Sequence, residues 1–333
     1  MTGPSANSVC AFAHIDPQTY VPHDLHRSER AWRESNCYID VWVEVLHALG
    51  LDPCACLPHV LPVDFEGDQW TFFKPSHDDL FVLYGLDVQE LTVWRPLIQN
   101  TREQLAGGKL VLSEVDAFYL PDTAGTDYRA QHTKTTIGIQ DLDVEHRQLG
   151  YFHNSGYHRL EGPDFVGLLR LDCPPDPTYM PFFAEFVRID RRKHLEARAL
   201  RNASVGVLRK HMARLPQTNP VVRFGERFGV DLAWMQTEGL PAYHGWAFAT
   251  LRQMGAAFEL AAFYLRWLSK SGDDGLEPSA AAFDAISGCA KTLILKTARA
   301  VNTRKPFDAG GLLGDAARAW DTGMGVLIER YGA

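Results

Sequence analysis

Cys37 is the residue whose type and setting most readily suggest chemistry. It follows Ser35 and Asn36, both helix-capping types, and opens the compact apolar run 37–49, which Gly50 terminates. A cysteine in the first turn of a helix lies against backbone N–H groups that have no partner inside the helix, and the positive helix end favours a thiolate. A thiolate attacks the carbonyl carbon of a thioester or amide. The competing reading is a small packed hydrophobe, because free cysteine is among the most buried residue types. On spacing alone the two readings stand level.

The other five cysteines are placed less favourably. Cys10 falls in an N-terminal segment read as unstructured, Cys173 in a Pro-rich turn, and Cys289 within an apolar helical pattern where packing accounts for it. Cys54-Ala-Cys56 with His59 looks superficially like a ligand cluster. Zinc sites use Cys pairs with two to four residues between them and a second ligand pair at matching spacing; Cys-x-Cys is too close and no second pair occurs, so no metal is expected. Six cysteines in 333 residues are too sparse for a disulfide scaffold, which favours a reducing compartment. No glycine-rich phosphate loop is present, so no nucleotide cofactor is expected.

The elements that must position Cys37 change character along the chain. Before residue 175, short strands alternate with brief helices; beyond it, long helical patterns dominate. The spacing predicts short strands at 70–73 and 109–120, and a helix opened by the Ser76-His-Asp-Asp79 capping box and running to Tyr84. A helix over 96–106 ends at Gly107-Gly108. Strands near 132–140 and 148–153 flank Asp141 and Asp143, read as hairpin-turn residues. The Pro-rich stretch 173–177 marks a boundary. Helices follow near 190–214, 244–270, 279–300 and 311–331, with Gly272 to Gly275 as a break, and the aromatic stripe from Trp246 to Trp267 reads as core. The expected architecture is α+β, with a catalytic domain over 1–175 and a mainly α-helical domain over 176–333.

Charge narrows the partners. The net charge of −8 argues against general nucleic-acid binding. Between Arg188 and Arg214, however, nine Lys/Arg face only Asp190 and Glu196, a local +7 that leaves −15 elsewhere. Such a run is either a solvated helix face or a docking surface for an acidic partner, with Arg191, Arg192 and Lys193 at its densest point. No apolar run approaches the ~18–20 residues a membrane span needs. The N-terminus does not read as a signal peptide, so the expected location is cytoplasmic.

The order of motifs carries a resemblance. A Cys opening a helix is followed by Glu114-Val-Asp-Ala-Phe-Tyr-Leu-Pro121, then Tyr128-Arg-Ala-Gln-His132, then Tyr151-Phe-His-Asn154. Over residues 30–170 this resembles the papain-like N-terminal domain of the butirosin biosynthesis protein H family. The whole chain also resembles a bacterial family encoded beside carrier proteins and amino acid:carrier-protein ligases. The resemblance implies a biosynthetic cysteine acyltransferase. The donor would be a phosphopantetheine thioester on an acidic acyl carrier protein, and the acceptor an amine or hydroxyl of a small molecule. By the same carry-over Cys37 is the nucleophile, His132 the base, and Asn154 the group that orients the imidazole. The family more often has Asp in the third position, and Asp116 is a candidate for supporting that histidine. Papain-like proteases carry Gln six residues before the cysteine; Ala31 stands there, which leaves Asn36 as a substitute oxyanion donor. Two other readings remain open: a papain-like peptidase or amidase, and a non-catalytic adaptor that binds a carrier protein with Cys37 inert.

Overall fold

A computed structural model describes residues 8–27, 30–174, 176, 178, 181–270 and 272–332. The chain forms two compact units, one of Met1–Pro53 with His77–His194 and the other of Cys54–Ser76 with Leu195–Ala333. The first is sheet-rich and the second helical, in line with the α+β reading. The division falls at 194 rather than 175. The reason is a strand within 176–194 that pairs between two others in the sheet. The Pro-rich stretch 173–177 lies partly outside the described residues.

In the first unit the elements run β1 (Val9–Cys10), α1 (Cys37–Ala48), α2 (His77–Tyr84), β2 (Asp87–Glu90), α3 (Leu97–Ala106) and β3 (Lys109–Asp116). They continue with β4 (Lys134–Asp143), β5 (Gln148–His153), β6 (Gly156–Glu161), α4 (Gly162–Leu168) and β7 (Ala184–Arg188). The sheet is antiparallel throughout, in the order β2-β7-β3-β4-β5-β6, with β1 added along β4. Cys10 is therefore in a strand, opposite Asp141, and not in an unstructured segment. Asp141 also lies within β4, beside an irregularity at Gln140, while Asp143 ends the strand and accepts the His146 N–H at 3.0 Å. Only Asp143 acts as a turn residue.

Helix α1 forms where the sequence predicts it. The Asn36 side chain accepts the Ile39 N–H at 3.0 Å, capping the first turn. At the other end Gly50 takes φ +71°, and the Leu51 N–H reaches back to the Leu46 carbonyl at 2.9 Å. Residues Tyr38 to Leu46 are all buried, so the helix is surrounded rather than one-sided. It seats on β4 at Gly138, where a Cβ would stand 3.0 Å from Val41 Cγ1. That close approach lowers the start of α1 onto the sheet.

Burial on every side forces two acidic residues of α1 to find partners. Glu44 and Asp40, one turn apart, clasp His26: Nδ1 bonds Glu44, and Nε2 lies 3.3 Å from Asp40 Oδ1. Tyr20 donates to Glu44 at 2.5 Å, and the Ser35 N–H donates to Asp40 Oδ2 at 2.9 Å. Burial alone would lower the His26 pKa, but the bonds and charges of Asp40 and Glu44 outweigh it and raise the value to about 9. Burial likewise raises Glu44, yet His26, Tyr20 and the His23 N–H hold it below its ordinary value.

In the second unit α5 (Ala197–Met212), α6 (Pro220–Glu238), α7 (Leu240–Ala247), α8 (Gln253–Lys270), α9 (Glu277–Thr303) and α10 (Gly310–Tyr331) pack with residues 54–76. A short ribbon pairs Phe65–Glu66 with Gln69–Trp70, so the strand expected at 70–73 ends at Trp70. Phe65, Trp70, Phe224, Phe228, Trp246 and Phe258 form a buried aromatic cluster with centroids 5.3–6.3 Å apart. Trp246, Phe258 and Tyr264 of the predicted stripe are core, whereas Phe248 is exposed. No helix among the described residues is long and apolar enough to cross a membrane.

The His26 clamp has a defined pH signature. A folded pKa of about 9 against an ordinary 6.5 means that the stabilisation is complete below pH 6.5 and is lost as pH rises through 9. The loss should be on the order of 3 kcal/mol. His26→Leu, which strands two buried carboxylates, should cost about 3–5 kcal/mol in denaturant unfolding followed by circular dichroism and abolish that pH dependence. A variant with wild-type stability and an unaltered pH profile would show that the clamp contributes nothing.

Candidate functional site

The geometry begins at the start of α1. Cys37 is partly exposed, and its Sγ lies 3.7 Å from Thr136 Oγ1 on β4. Cys54 and Cys56 are fully enclosed, and His59 is spent on the Cys56 carbonyl at 2.6 Å. Burial, and secondarily Asp315, pushes the Cys289 thiol up to about 11; burial and Asp141 raise Cys10. The site therefore centres on Cys37.

Strand alternation shows what shares its face. Thr136 meets Cys37 and Gly138 meets Val41, so even-numbered residues of β4 point toward α1. Register partners across an antiparallel pair share a face, and Thr136 opposes Glu114 while Lys134 opposes Asp116. Lys134 Nζ bonds Glu114 Oε1 at 2.6 Å. The ladder continues past the end of β4 through Ala117 N–H to Thr133 carbonyl at 2.8 Å. His132 follows, its Nδ1 2.6 Å from Asp116 Oδ2 and its ring stacked on Phe118 with centroids 4.5 Å apart. Asp116 Oδ1 accepts the Phe118 N–H at 3.0 Å, so the carboxylate is fixed from both sides.

His132 is thus bonded to Asp116, and no hydrogen bond joins it to Asn154 among the described residues. Asn154 sits at the tip of the β5–β6 hairpin, between the paired residues His153 and Gly156, with φ +47°. A tight hairpin demands left-handed backbone there, which Asn tolerates; this turn requirement accounts for the residue. Asn36 is the α1 cap, its Oδ1 engaged by Ile39. Cys37 and His132 each bond another residue: Thr136 takes the thiol and Asp116 the imidazole. The four residues from His132 to Thr136 span roughly 13 Å of extended chain. The Glu114–Lys134 pair occupies that interval.

Two further histidine clusters flank this face. On the opposite face His153 Nδ1 is 2.5 Å from Asp122 Oδ2, and Nε2 is 2.8 Å from Thr135 Oγ1. Tyr151 donates to Asp122 Oδ1 at 2.5 Å. Burial would raise Asp122, but His153, His158 and Tyr151 hold it down at about 2. With both ring nitrogens engaged and 1% exposure, His153 ties the turn after β3 to the start of β4. The second cluster was missed from the sequence. Tyr38, next to Cys37, donates to the buried Glu185 at 2.9 Å, and His77 Nε2 bonds the same carboxylate at 2.9 Å. His77 was absorbed into a capping box, and Glu185 lies in the undetected β7, so no local signal joined them.

The basic run is not one helix. Arg191, Arg192 and Lys193 are exposed on an irregular segment after β7, held by Lys193 N–H to Tyr84 carbonyl at 2.9 Å. A side chain at Gly85 would strike the Arg191 carbonyl, 2.2 Å from an added Cβ. Helix α5 begins only at Ala197, in the second unit, where Arg201 pairs with Asp273 at 3.2 Å.

The two kinds of histidine separate by stability. His153→Leu takes a hydrogen-bond partner from the buried Asp122 and Thr135 and should cost about 1–3 kcal/mol. His132→Ala, at a side chain 69% exposed, should stay within about 1 kcal/mol. Asn154→Gly, which suits the left-handed turn, should be neutral within about 0.5 kcal/mol. Urea unfolding of the three variants measures this; comparable losses for His132→Ala and His153→Leu would contradict the division.

Comparison with known proteins locates the chain. No curated protein matches it. Family models match along nearly its whole length: the DUF1839 N-terminal domain over residues 21–189 and the DUF1839 C-terminal domain over residues 197–329. The join between them falls at the end of the sheet-bearing unit, where the compact units also divide. The chain belongs to the DUF1839 family.

Proposed function

We propose that the protein is a papain-like cysteine acyltransferase related to butirosin biosynthesis protein H. The observation that carries this reading is the face shared by a half-exposed thiol at a capped helix start and an acid-supported imidazole. In the first step the Cys37 thiol gives its proton to His132, and its sulfur attacks the carbonyl carbon of a phosphopantetheine thioester. The donor's C–S bond breaks, and the departing thiol takes the proton back. In the second step an amine or hydroxyl attacks the enzyme thioester, His132 accepts its proton, and Cys37 leaves as the thiol. Asp116 selects the tautomer that leaves Nε2 facing outward for these transfers. Backbone N–H groups of the first turn of α1 stabilise the oxyanion.

His132 must approach the sulfur for direct transfer, or act through a bridging water. Its exposure leaves that movement open, and the Glu114–Lys134 pair is what it must pass. The donor is read as an acyl or aminoacyl carrier protein charged by an amino acid:carrier-protein ligase, with the acidic carrier meeting Arg191, Arg192 and Lys193.

Intact-mass analysis after incubation with acyl-loaded carrier protein should show one acyl adduct, lost in Cys37→Ala. Asp116→Asn should slow turnover less than His132→Ala, whose proton transfer is worth ~10²–10⁴-fold. Replacing Arg191, Arg192 and Lys193 by Glu should weaken use of the carrier-bound donor at low salt and spare a small pantetheine thioester. Full turnover by a folded Cys37→Ala variant would exclude the mechanism.

A further inference from the structure

We infer that a cavity of about 710 Å³ in the sheet-bearing unit is a binding site for an amphipathic carboxylate, a molecule with an apolar body of acyl-chain size and an anionic head. Its walls come from the segment after β2, the end of α4 and the approach to β7, with Trp94, Arg95, Ile98, Leu168, Leu171 and Phe182 in the lining. The volume falls in the range of about 300–1,000 Å³ typical of small-molecule sites. Trp94, in that lining, is 75% exposed.

The polar feature is Arg95. Its guanidinium lies 4.2 Å from the centre of the Trp94 ring, and its Nε is buried with no hydrogen-bond acceptor. No carboxylate among the described residues pairs with it. The other cation in the wall, Arg170, is near Asp176, whose carboxyl is held low first by Thr178 and also by that charge. In a cavity lined mainly by apolar side chains, Arg95 is thus the cation with no carboxylate against it, and an anion is the partner it lacks. The Asn100 side chain donates to the Arg95 carbonyl at 3.3 Å, and Pro96 follows, so the backbone presenting the guanidinium is fixed.

The site also lies at the Cys37 end of the sheet. Phe183, next to the wall residue Phe182, accepts the Glu114 N–H at 2.9 Å, and Glu114 opposes Thr136, which meets Cys37. That the bound group is the acyl part of a substrate rests on the acyltransferase reading; the binding site does not.

Calorimetric titration of the full chain carrying Cys37→Ala with octanoate and with 1-octanol tests the site without the chemistry. Octanoate should saturate, and octanol should bind at least tenfold more weakly. Arg95→Met should make the two equal, while Trp94→Ala and Ile98→Asp, each confirmed folded by its melting temperature, should weaken both at least tenfold. Absence of saturable octanoate binding, or binding indifferent to Ile98→Asp, would overturn the site; equal octanoate and octanol affinity with Arg95 present would overturn the anionic head. Octanoate binding without any acylation of wild-type Cys37 would defeat the acyltransferase reading alone. Acylation without octanoate binding would defeat the cavity alone.

Discussion

The arrangement depends on a buried cation held by two carboxylates of one helix. His26 between Asp40 and Glu44 lets α1 be enclosed on all sides while carrying charge. The same Asp40 accepts the Ser35 N–H, so the clamp also fixes the chain immediately before Cys37. A buried ion pair gains little over a hydrophobic one, but losing a partner is expensive; what it supplies here is a defined entry angle for the helix. Gly138 completes the effect by admitting α1 close to β4, which brings the Cys37 sulfur to Thr136.

Much of the architecture was legible because local signals agreed with packing. The Asn36 cap and Gly50 stop bounded α1 correctly, and α3 and α10 each fall within a residue of their predicted limits. Helix α6 escaped because Gly225 and Gly229 interrupt its pattern, though Phe224, Phe228 and Leu232 bury one face regardless. The helix predicted from 244 starts earlier, because Gly239 at φ +90° and Pro241 in the first turn begin α7, and a π-turn over Phe248–Arg252 joins it to α8. Strand β7 is only five residues long, and its place between β2 and β3 is a long-range pairing that periodicity cannot show.

The site was legible in its parts and not in their pairing. Cys37 and His132 stood out by type and by order, while Asn154 lies at a left-handed hairpin tip where the turn by itself accounts for an asparagine. Asp116 was a candidate support for the imidazole from the sequence, and the β3–β4 register shows how positions 116 and 132 meet across sixteen residues. His153 carries a more complete hydrogen-bond set than His132, and its enclosure on the opposite face marks it as a fastening of the sheet.

The central claim is that Cys37 and His132 act together. The direct measurement is the iodoacetamide alkylation rate of each cysteine at pH 6–7, read by peptide mass mapping in wild type, His132→Ala and Asp116→Asn. The account predicts that Cys37 is modified well ahead of Cys54, Cys56 and Cys289, and that both variants slow it, His132→Ala the more. An unreactive Cys37, or a rate identical in all three proteins, would contradict it.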